Sequence, residues 1–168
     1  VTFLDVGQGD CALIETAGGA KVLIDGGGSR ENRFDIGRRV VAPFLWNRGI
    51  RSLDLIILSH PHPDHMNGLL SIAKLFPVKQ LWGSGLDEDL EGFAELRQVL
   101  NDRAVPLRSV RAGDSAAVGD VVIEVLPPRS GFDARTSKNY AAENSRSLVL
   151  RVRTGGRTVL FPGDIHRD

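Results

Sequence analysis

The sequence predicts a single α/β domain in which mixed β-sheets are covered by helices. Apolar-rich segments of extended pattern occur at both ends of the chain, and Leu53–Leu58 is an apolar run interrupted only by Asp54, as expected of a strand covered on both faces. Amphipathic segments with helical spacing lie between the strands. This alternation favours a layered α/β domain. With 168 residues, the chain is long enough for one well-buried core and too short for two ordinary domains, so we assign residues 1–168 to one domain.

The N-terminal part is predicted to begin with strands. Val1–Val6 and Cys11–Thr16 flank a glycine-containing turn, and a second turn leads into a strand over Lys21–Asp25. The glycine-rich stretch 26–29 is predicted to be a flexible loop. Pro43 fits the start of a short helix that ends before Gly49.

The remaining elements follow from changes in period. Met66–Phe76 has helical spacing and ends at Pro77, Val78–Trp82 is a predicted strand, and Asp89–Asp102 is a second amphipathic helix. Further strands are predicted at Pro106–Val110, Val121–Leu126, Ser147–Arg153 and Thr158–Phe161, with turns at 119–120 and 155–156. The polar stretch 127–144 has no clear period and is predicted to be a mobile loop.

Composition excludes several classes of protein. No apolar run approaches the roughly 20 residues that span a bilayer. The 21 basic and 21 acidic side chains balance, whereas a protein that holds nucleic acid mainly by neutralising phosphates is usually basic, so any DNA contact is local. The single cysteine, Cys11, excludes an internal disulfide and a thiolate zinc cluster, and its apolar neighbours indicate a core position.

The chemistry of the chain is concentrated in Ser59-His60-Pro61-His62-Pro63-Asp64-His65, which contains three of the four histidines. Imidazole nitrogens and carboxylate oxygens are ligands for zinc, iron and manganese, and crowding them is costly without a cation. His60 and His62 both precede proline, which favours extended backbone. Residues two apart in an extended chain point the same way, so these two can converge on one ion. Asp64 and His65, where the next helix begins, can face a second ion.

This run resembles the H-x-H-x-D-H signature of the metallo-β-lactamase superfamily. The resemblance implies a four-layer αβ/βα sandwich with two divalent ions. Asp25 is similar to the superfamily's first motif, which supports the metal site, and Asp164 to the later aspartate that bridges the metals. A further histidine ligand is replaced by Asn144, and the final one lies beyond the chain, since His166 is too close to Asp164. We therefore expect a fragment that lacks much of the second half of the fold.

A narrower resemblance is to the C-terminal domain of the ComEC family of DNA-uptake channels. It runs from Phe3 to Asp164 and rests on motifs such as 3–10, 23–27, 35–45 and 144–150. The resemblance implies a metal-dependent nuclease that degrades the DNA strand not imported. It also implies single-stranded DNA and the remaining domains of a channel in the bacterial cytoplasmic membrane as partners, with this domain on the outer side and the fragment itself soluble.

Carried over to this chain, the resemblance assigns roles to individual residues. Asp64 and His65 are the expected catalytic residues, with Asp64 a candidate base. The expected metal ligands are His60, His62, Asp64, His65 and Asp164, supported by Asp25. The expected substrate contacts are Gln8, Arg30, Asn144 and Ser145. The ions are manganese or zinc, and the absent imidazole favours manganese at one position.

Two alternatives stay open. The same signature serves hydrolases of other esters, thioesters or lactams, because a fold does not fix its substrate. A non-catalytic module that binds DNA or caps the channel is the other. Because ligands are missing and apolar surface is left exposed, we expect incomplete metal occupancy, little activity and self-association of the fragment.

Overall fold

The computed structural model describes residues 1–29, 34–84, 93–127 and 147–165. Helices α1 to α3 in these ranges are Ala42–Asn47, Pro63–Leu75 and Phe93–Asp102, and a π-helical segment, Gly37–Val41, runs directly into α1. Strands β1 to β10 are Thr2–Phe3, Ala12–Glu15, Lys21–Ile24, Leu55–Leu58, Leu81–Gly83, Leu107–Ser109, Ser115–Val118, Val121–Leu126, Val149–Thr154 and Arg157–Phe161. No helix among the described residues is long and apolar enough to span a bilayer.

The strands form two sheets. The first is mixed, with order β1-β2-β3-β4-β5-β6: the first two pairings are antiparallel and the others parallel. The second is antiparallel, with order β10-β9-β8-β7. The predicted α/β class with mixed sheets is therefore confirmed.

Two apolar cores separate three layers. Leu13, Leu23 and Ile56 of the first sheet pack with the helices, whereas Ile14, Val22 and other side chains of alternate position pack against the second sheet. This alternation follows from the period-two direction of strand side chains. Strand β4 is buried at every position, as its apolar run predicts, because both faces are covered. The described residues thus build helices, first sheet and second sheet in that order, three of the four layers of the predicted sandwich.

This topology brings several strand ends to one edge. Because β3, β4 and β5 are parallel, the residues that follow them, among them Asp25, Ser59 and Ser84, lie at the same edge of the first sheet. In the second sheet, Phe161 pairs with Leu150, so the end of β10 lies beside the start of β9. Polar residues that follow β10 or precede β9 therefore face the same region.

Some predicted boundaries were wrong. The first strand is limited to Thr2–Phe3 rather than Val1–Val6. Helix α1 begins at Ala42, within one residue of the predicted start at Pro43, but the π-helical segment Gly37–Val41 before it was not predicted. The second helix begins at Pro63, not Met66, because proline is well tolerated in the first turn of a helix, where its missing N–H is not needed. This shift places Asp64 and His65 inside the helix.

The predicted flexible loop at 26–29 is instead closely packed. Gly26, Gly27 and Gly28 are all buried. The amide of Gly26 donates to the carbonyl of His65 at 2.7 Å, and that of Gly68 to the carbonyl of Gly27 at 2.9 Å. Three consecutive glycines here permit close backbone contact with α2, whereas the sequence alone suggests freedom of motion.

Strand β7 was missed, because Ser-Ala-Ala-Val carries a weak strand pattern that is stabilised by pairing with β8. Strand β7, rather than the predicted strand Pro106–Val110, forms a hairpin with β8 through the turn at 119–120. Most of the predicted loop at 127–144 and the start of the predicted helix at 89–102 lie outside the described residues.

Candidate metal centre

A compact cluster of His60, His65 and Asp164 lies where the two sheets meet at this edge. One ligand atom from each lies within 4.8 Å of the others. The carboxylate Oδ2 of Asp164 is 3.4 Å from Nε2 of His65 and 3.9 Å from Nε2 of His60. His60 follows β4, His65 lies in the first turn of α2 and Asp164 follows β10, so three separate elements supply the cluster.

The cluster is closed on one side and open on the other. The side chains of His60 and His65 are 0% and 1% exposed, whereas that of Asp164 is 36% exposed. Buried imidazoles hold their positions by packing, and the exposed carboxylate leaves a route for solvent and substrate. Two nitrogens and one oxygen with an open side are a donor set that suits a catalytic divalent cation.

The electrostatics of the cluster also favour a cation. Burial alone lowers the pKa of His65, but the hydrogen bond to Asp25 and the charges of Asp25, Asp164 and Asp64 outweigh burial and raise this pKa to about 9. A site that holds a proton so firmly has a negative potential. The residues present therefore fit a bound divalent cation, which would take the place of that proton.

His60 responds to its surroundings in the opposite direction. Burial, followed by the charges of His65 and His62, lowers the pKa of His60 to about 2. The ring is therefore neutral over the physiological range, as a metal-binding imidazole must be.

Asp25 supports the cluster through hydrogen bonds with His65 and Ser59. Its carboxylate is 2% exposed and accepts hydrogen bonds from the amide and hydroxyl of Ser59, both at 2.7 Å, and from Nδ1 of His65 at 2.9 Å. Asp25 has a φ of 56°, in the left-handed region that few residues other than glycine adopt. This backbone conformation, held by the bond from the Asp25 amide to the carbonyl of Ile57, ends β3 and directs the carboxylate to the histidines.

The other two residues of the motif lie beside the cluster. His62 has the extended backbone expected before proline, with φ −82° and ψ 148°, and its Nδ1 is 3.0 Å from Nε2 of His60. Asp64 is half-buried in the first turn of α2, and Nε2 of Gln8 donates to its Oδ2 at 3.5 Å. The geometry thus groups His65 with His60 and Asp164, whereas the sequence suggested that His65 and Asp64 face a separate ion.

Close packing of glycines fixes α2 behind the cluster. A Cβ on Gly68 would lie 1.9 Å from the carbonyl oxygen of Gly26, and one on Gly37 would lie 2.0 Å from that of Gly68. Only glycine permits these backbones to approach, so the position of His65 at the start of α2 depends on them. A glycine within an otherwise apolar helical pattern was the signal in the sequence for such contact.

Other candidate residues are distributed as follows. Gln8 is exposed and near Asp64, while Arg30, Asn144 and Ser145 lie outside the described residues, so their expected roles as substrate contacts stay predictions. Two serines that the sequence did not single out contact the site. The hydroxyl of Ser59 touches both Asp25 and His60, and that of Ser147 accepts the amide of Asp164 at 3.2 Å.

Sequence comparison places the chain among known proteins. The model of the metallo-beta-lactamase superfamily matches residues 4–167. The chain is 29% identical over 180 residues to ComE operon protein 3 of Bacillus subtilis (strain 168), covering 100% of this chain and 22% of that protein. It is 28% identical over 170 residues to competence protein ComA of Neisseria gonorrhoeae, covering 98% and 20%. The chain thus spans about a fifth of the length of these relatives.

Solved structures share the fold. A metallo-beta-lactamase with a HARLDQ motif from Cronobacter sakazakii, a mutant, superposes with a TM-score of 0.59 at 18% identity, covering 95% of this chain and 59% of that one. Zn²⁺-bound PqqB from Methylobacterium extorquens gives 0.56 at 12%, covering 91% and 48%. CmlA, a diiron β-hydroxylase from Streptomyces venezuelae, gives 0.57 at 21%, covering 95% and 28%. Members of this fold therefore hold different metals.

Proposed function

The chain belongs to the metallo-β-lactamase superfamily, and from this premise we propose that it is the nuclease domain of a ComEC-like competence protein. Its reaction is metal-dependent hydrolysis of phosphodiester bonds in single-stranded DNA, the strand that is not imported. The observation that carries the proposal is the cluster of His60, His65 and Asp164, within 4.8 Å and open at Asp164, on a chain that matches competence proteins over almost its full length.

The proposed roles start from the cluster. His60 offers a neutral imidazole nitrogen, and His65 would offer one once a cation replaces its proton. Asp164 offers a carboxylate oxygen, and Asp25 holds His65 in orientation. A bound divalent cation would supply Lewis acidity, drawing charge from the phosphoryl oxygens and making water more acidic. His62 and Asp64 lie beside these residues and are proposed to complete the binding of two ions.

Asp64 is the proposed general base. Its carboxylate is half-buried in the first turn of α2, one residue before His65 of the cluster. The hydrogen bond from Gln8 restrains the carboxylate, so it can accept a proton from the attacking water in a fixed direction. The amide groups at the start of α2 favour the negative charge of a phosphate nearby.

The DNA substrate and the cellular setting are supported by the relatives rather than by charge. The chain has no net charge, so affinity for DNA would come from contacts near the site and from other parts of a longer protein. We propose that the longer protein is a channel in the bacterial cytoplasmic membrane and that this domain lies on the outer side of that membrane. The ions are proposed to be manganese or zinc, two per site.

Hydrolysis of linear single-stranded DNA tests the proposal. Cleavage by the chain, and by a longer protein that contains it, is measured with Mn²⁺, with Zn²⁺ and with a chelator. We expect metal-dependent cleavage that is weak with the chain alone and stronger with the longer protein, and that is lost in Asp164→Ala, whose exposed side chain can be removed without opening the core. Gln98→Ala, on the exposed face of α3, is the matched control and should cleave normally.

A substrate panel separates the alternatives. Bis(p-nitrophenyl) phosphate reports phosphodiesterase activity, while nitrocefin and a thioester report the other hydrolases of the fold. If only nitrocefin or the thioester is hydrolysed, DNA is not the substrate. A folded, metal-loaded protein that cleaves nothing would overturn the proposal and favour a binding module.

A further inference from the structure

Ser59, the residue before the first histidine of the motif, is engaged through every polar group it has. It is 2% exposed, at the end of β4. Its amide and hydroxyl both donate to Asp25 at 2.7 Å, and its Oγ is 3.0 Å from Nδ1 of His60. Its carbonyl accepts the amide of Leu148 at 2.9 Å and the hydroxyl of Ser84 at 3.0 Å.

The hydroxyl of Ser59 has one hydrogen, and its direction decides the state of His60. Three donors converge on the carboxylate of Asp25: the Ser59 amide, the Ser59 hydroxyl and Nδ1 of His65. Such convergence is typical of an ionised carboxylate, which can only accept. The Ser59 hydrogen therefore points to Asp25, and the contact with His60 is a hydrogen bond only if the ring donates from Nδ1.

The position of the ring proton on Nδ1 also determines which nitrogen of each histidine faces Asp164. With the proton of His60 on Nδ1, its Nε2 carries a lone pair. That Nε2 lies 3.0 Å from Nδ1 of His62 and 3.9 Å from the carboxylate of Asp164. In His65 the proton shared with Asp25 is likewise on Nδ1, and Nε2 faces Asp164 at 3.4 Å.

We propose that Ser59 is a positioning residue that fixes His60 as the Nδ1–H tautomer and couples it, through Asp25, to the orientation of His65. One buried carboxylate thereby presents the Nε2 atoms of both histidines to a cation. The inference rests on the proposed metal site and is independent of whether the substrate is DNA.

The backbone of Ser59 extends this role to the third ligand. Its carbonyl binds the amide of Leu148, just before β9, and the neighbouring Ser147 accepts the amide of Asp164. A Cβ on Gly163 would lie 2.8 Å from Cβ of Ser147, so the turn that carries Asp164 is packed tightly on this serine. Ser59 thus joins the sheet that holds the histidines to the sheet that holds the aspartate.

The tautomer can be observed directly in the metal-free protein. Long-range ¹H–¹⁵N correlation spectra of the ¹⁵N-labelled chain distinguish Nδ1–H from Nε2–H histidines at neutral pH. We expect His60 to be Nδ1–H in the unmodified chain and to gain the Nε2–H form in Ser59→Ala. Ser84→Ala is the matched control: it removes a buried hydroxyl bonded to the same residue and should leave the tautomer unchanged.

Metal binding gives a second readout. Calorimetry with Zn²⁺ should show at least about a tenfold weaker Kd in Ser59→Ala, no comparable loss in Ser84→Ala, and recovery in Ser59→Thr, which keeps the hydroxyl. An Nε2–H tautomer of His60 in the unmodified chain would overturn the proposal, even if Ser59→Ala does not fold. So would a folded Ser59→Ala with unchanged tautomer and Kd. If the tautomer and Kd results are as expected but the protein does not cleave DNA, the proposed nuclease activity is wrong and the role of Ser59 stands.

Discussion

The carboxylate of Asp25 lies 2.9 Å from Nδ1 of His65, although 40 positions separate the two residues and both side chains are almost fully buried. Asp25 directly follows β3 and His65 lies in the first turn of α2, so the contact joins the first sheet to the helix at the candidate metal centre. A buried carboxylate that holds an imidazole in this way sets which ring nitrogen is free for a cation.

Replacement of Asp25 should therefore weaken metal binding. Asp25→Asn keeps the shape of the side chain and tolerates the left-handed backbone, but it removes the charge that orients His65. We expect the Kd for Zn²⁺ to rise by about 10- to 100-fold, measured by competition with a chromogenic chelator. Asp120→Asn, at an exposed turn, is the control and should bind as the unmodified chain does. Equal affinities in the two variants would contradict the role of Asp25.

Asp64→Asn should separate catalysis from metal binding. The carboxylate of Asp64 lies outside the group formed by His60, His65 and Asp164, so an ion held by that group should stay bound, while binding of the second proposed ion should weaken. Loss of the proposed base should lower the cleavage rate by about 10²- to 10⁴-fold, with Zn²⁺ content followed by mass spectrometry. Gln8→Ala, which removes only the restraining hydrogen bond, should cause a smaller loss. If Asp64→Asn empties the site entirely, the lost rate reflects loss of metal, and the role of Asp64 as a base is contradicted.

Gly68→Ala should destabilise the protein, although alanine is the better helix former by about 1 kcal/mol. Its Cβ would lie 1.9 Å from the carbonyl oxygen of Gly26, and neither backbone can move without shifting α2. We expect a loss of about 1–3 kcal/mol in the free energy of unfolding by urea, together with weaker Zn²⁺ binding.

Gly18→Ala is the control for this substitution. Its new Cβ would meet nothing closer than 3.5 Å, so its stability should be nearly unchanged. An equally stable Gly68→Ala would show that the close packing of α2 is not required.

Acid should weaken a contact at the far end of the parallel strands. Asp54 accepts the amide of Lys21 at 2.7 Å and the ammonium of Lys79 at 2.6 Å. Burial raises the pKa of Asp54, but these hydrogen bonds and the charges of the two lysines outweigh burial and hold it below its ordinary value of 3.8. A lowered pKa in the folded state stabilises the protein above pH 3.8, and this stabilisation is lost as the pH falls through the folded-state pKa.

Asp54→Asn should therefore cost about 1 kcal/mol at neutral pH and progressively less in acid. Urea unfolding at neutral and acidic pH measures the difference. Asp102→Asn, at the exposed end of α3, should be neutral or slightly stabilising at neutral pH, because a negative charge there is unfavourable to the helix dipole. A constant difference between Asp54→Asn and the unmodified chain at every pH would exclude the ionised carboxylate as the cause.

The local sequence pattern was enough to predict several strands and helices and the residue types of the candidate site. The apolar run at Leu55–Leu58, the helical spacing after Pro63 and the histidines between them are properties of neighbouring residues, which the sequence displays directly. The extended backbone of His62 follows from the proline after it. The donor types alone indicated a divalent metal, and the motifs around them indicated the superfamily.

Only the tertiary structure decided which of these residues meet. Asp164 reaches His65 because the antiparallel pairing of β9 and β10 and the bond from Leu148 to Ser59 set the two sheets together, and no periodicity records such contacts. The glycine stretch 26–28 shows the same limit. Glycine permits both freedom and close approach, and the choice depends on whether another backbone, here that of α2, lies against it.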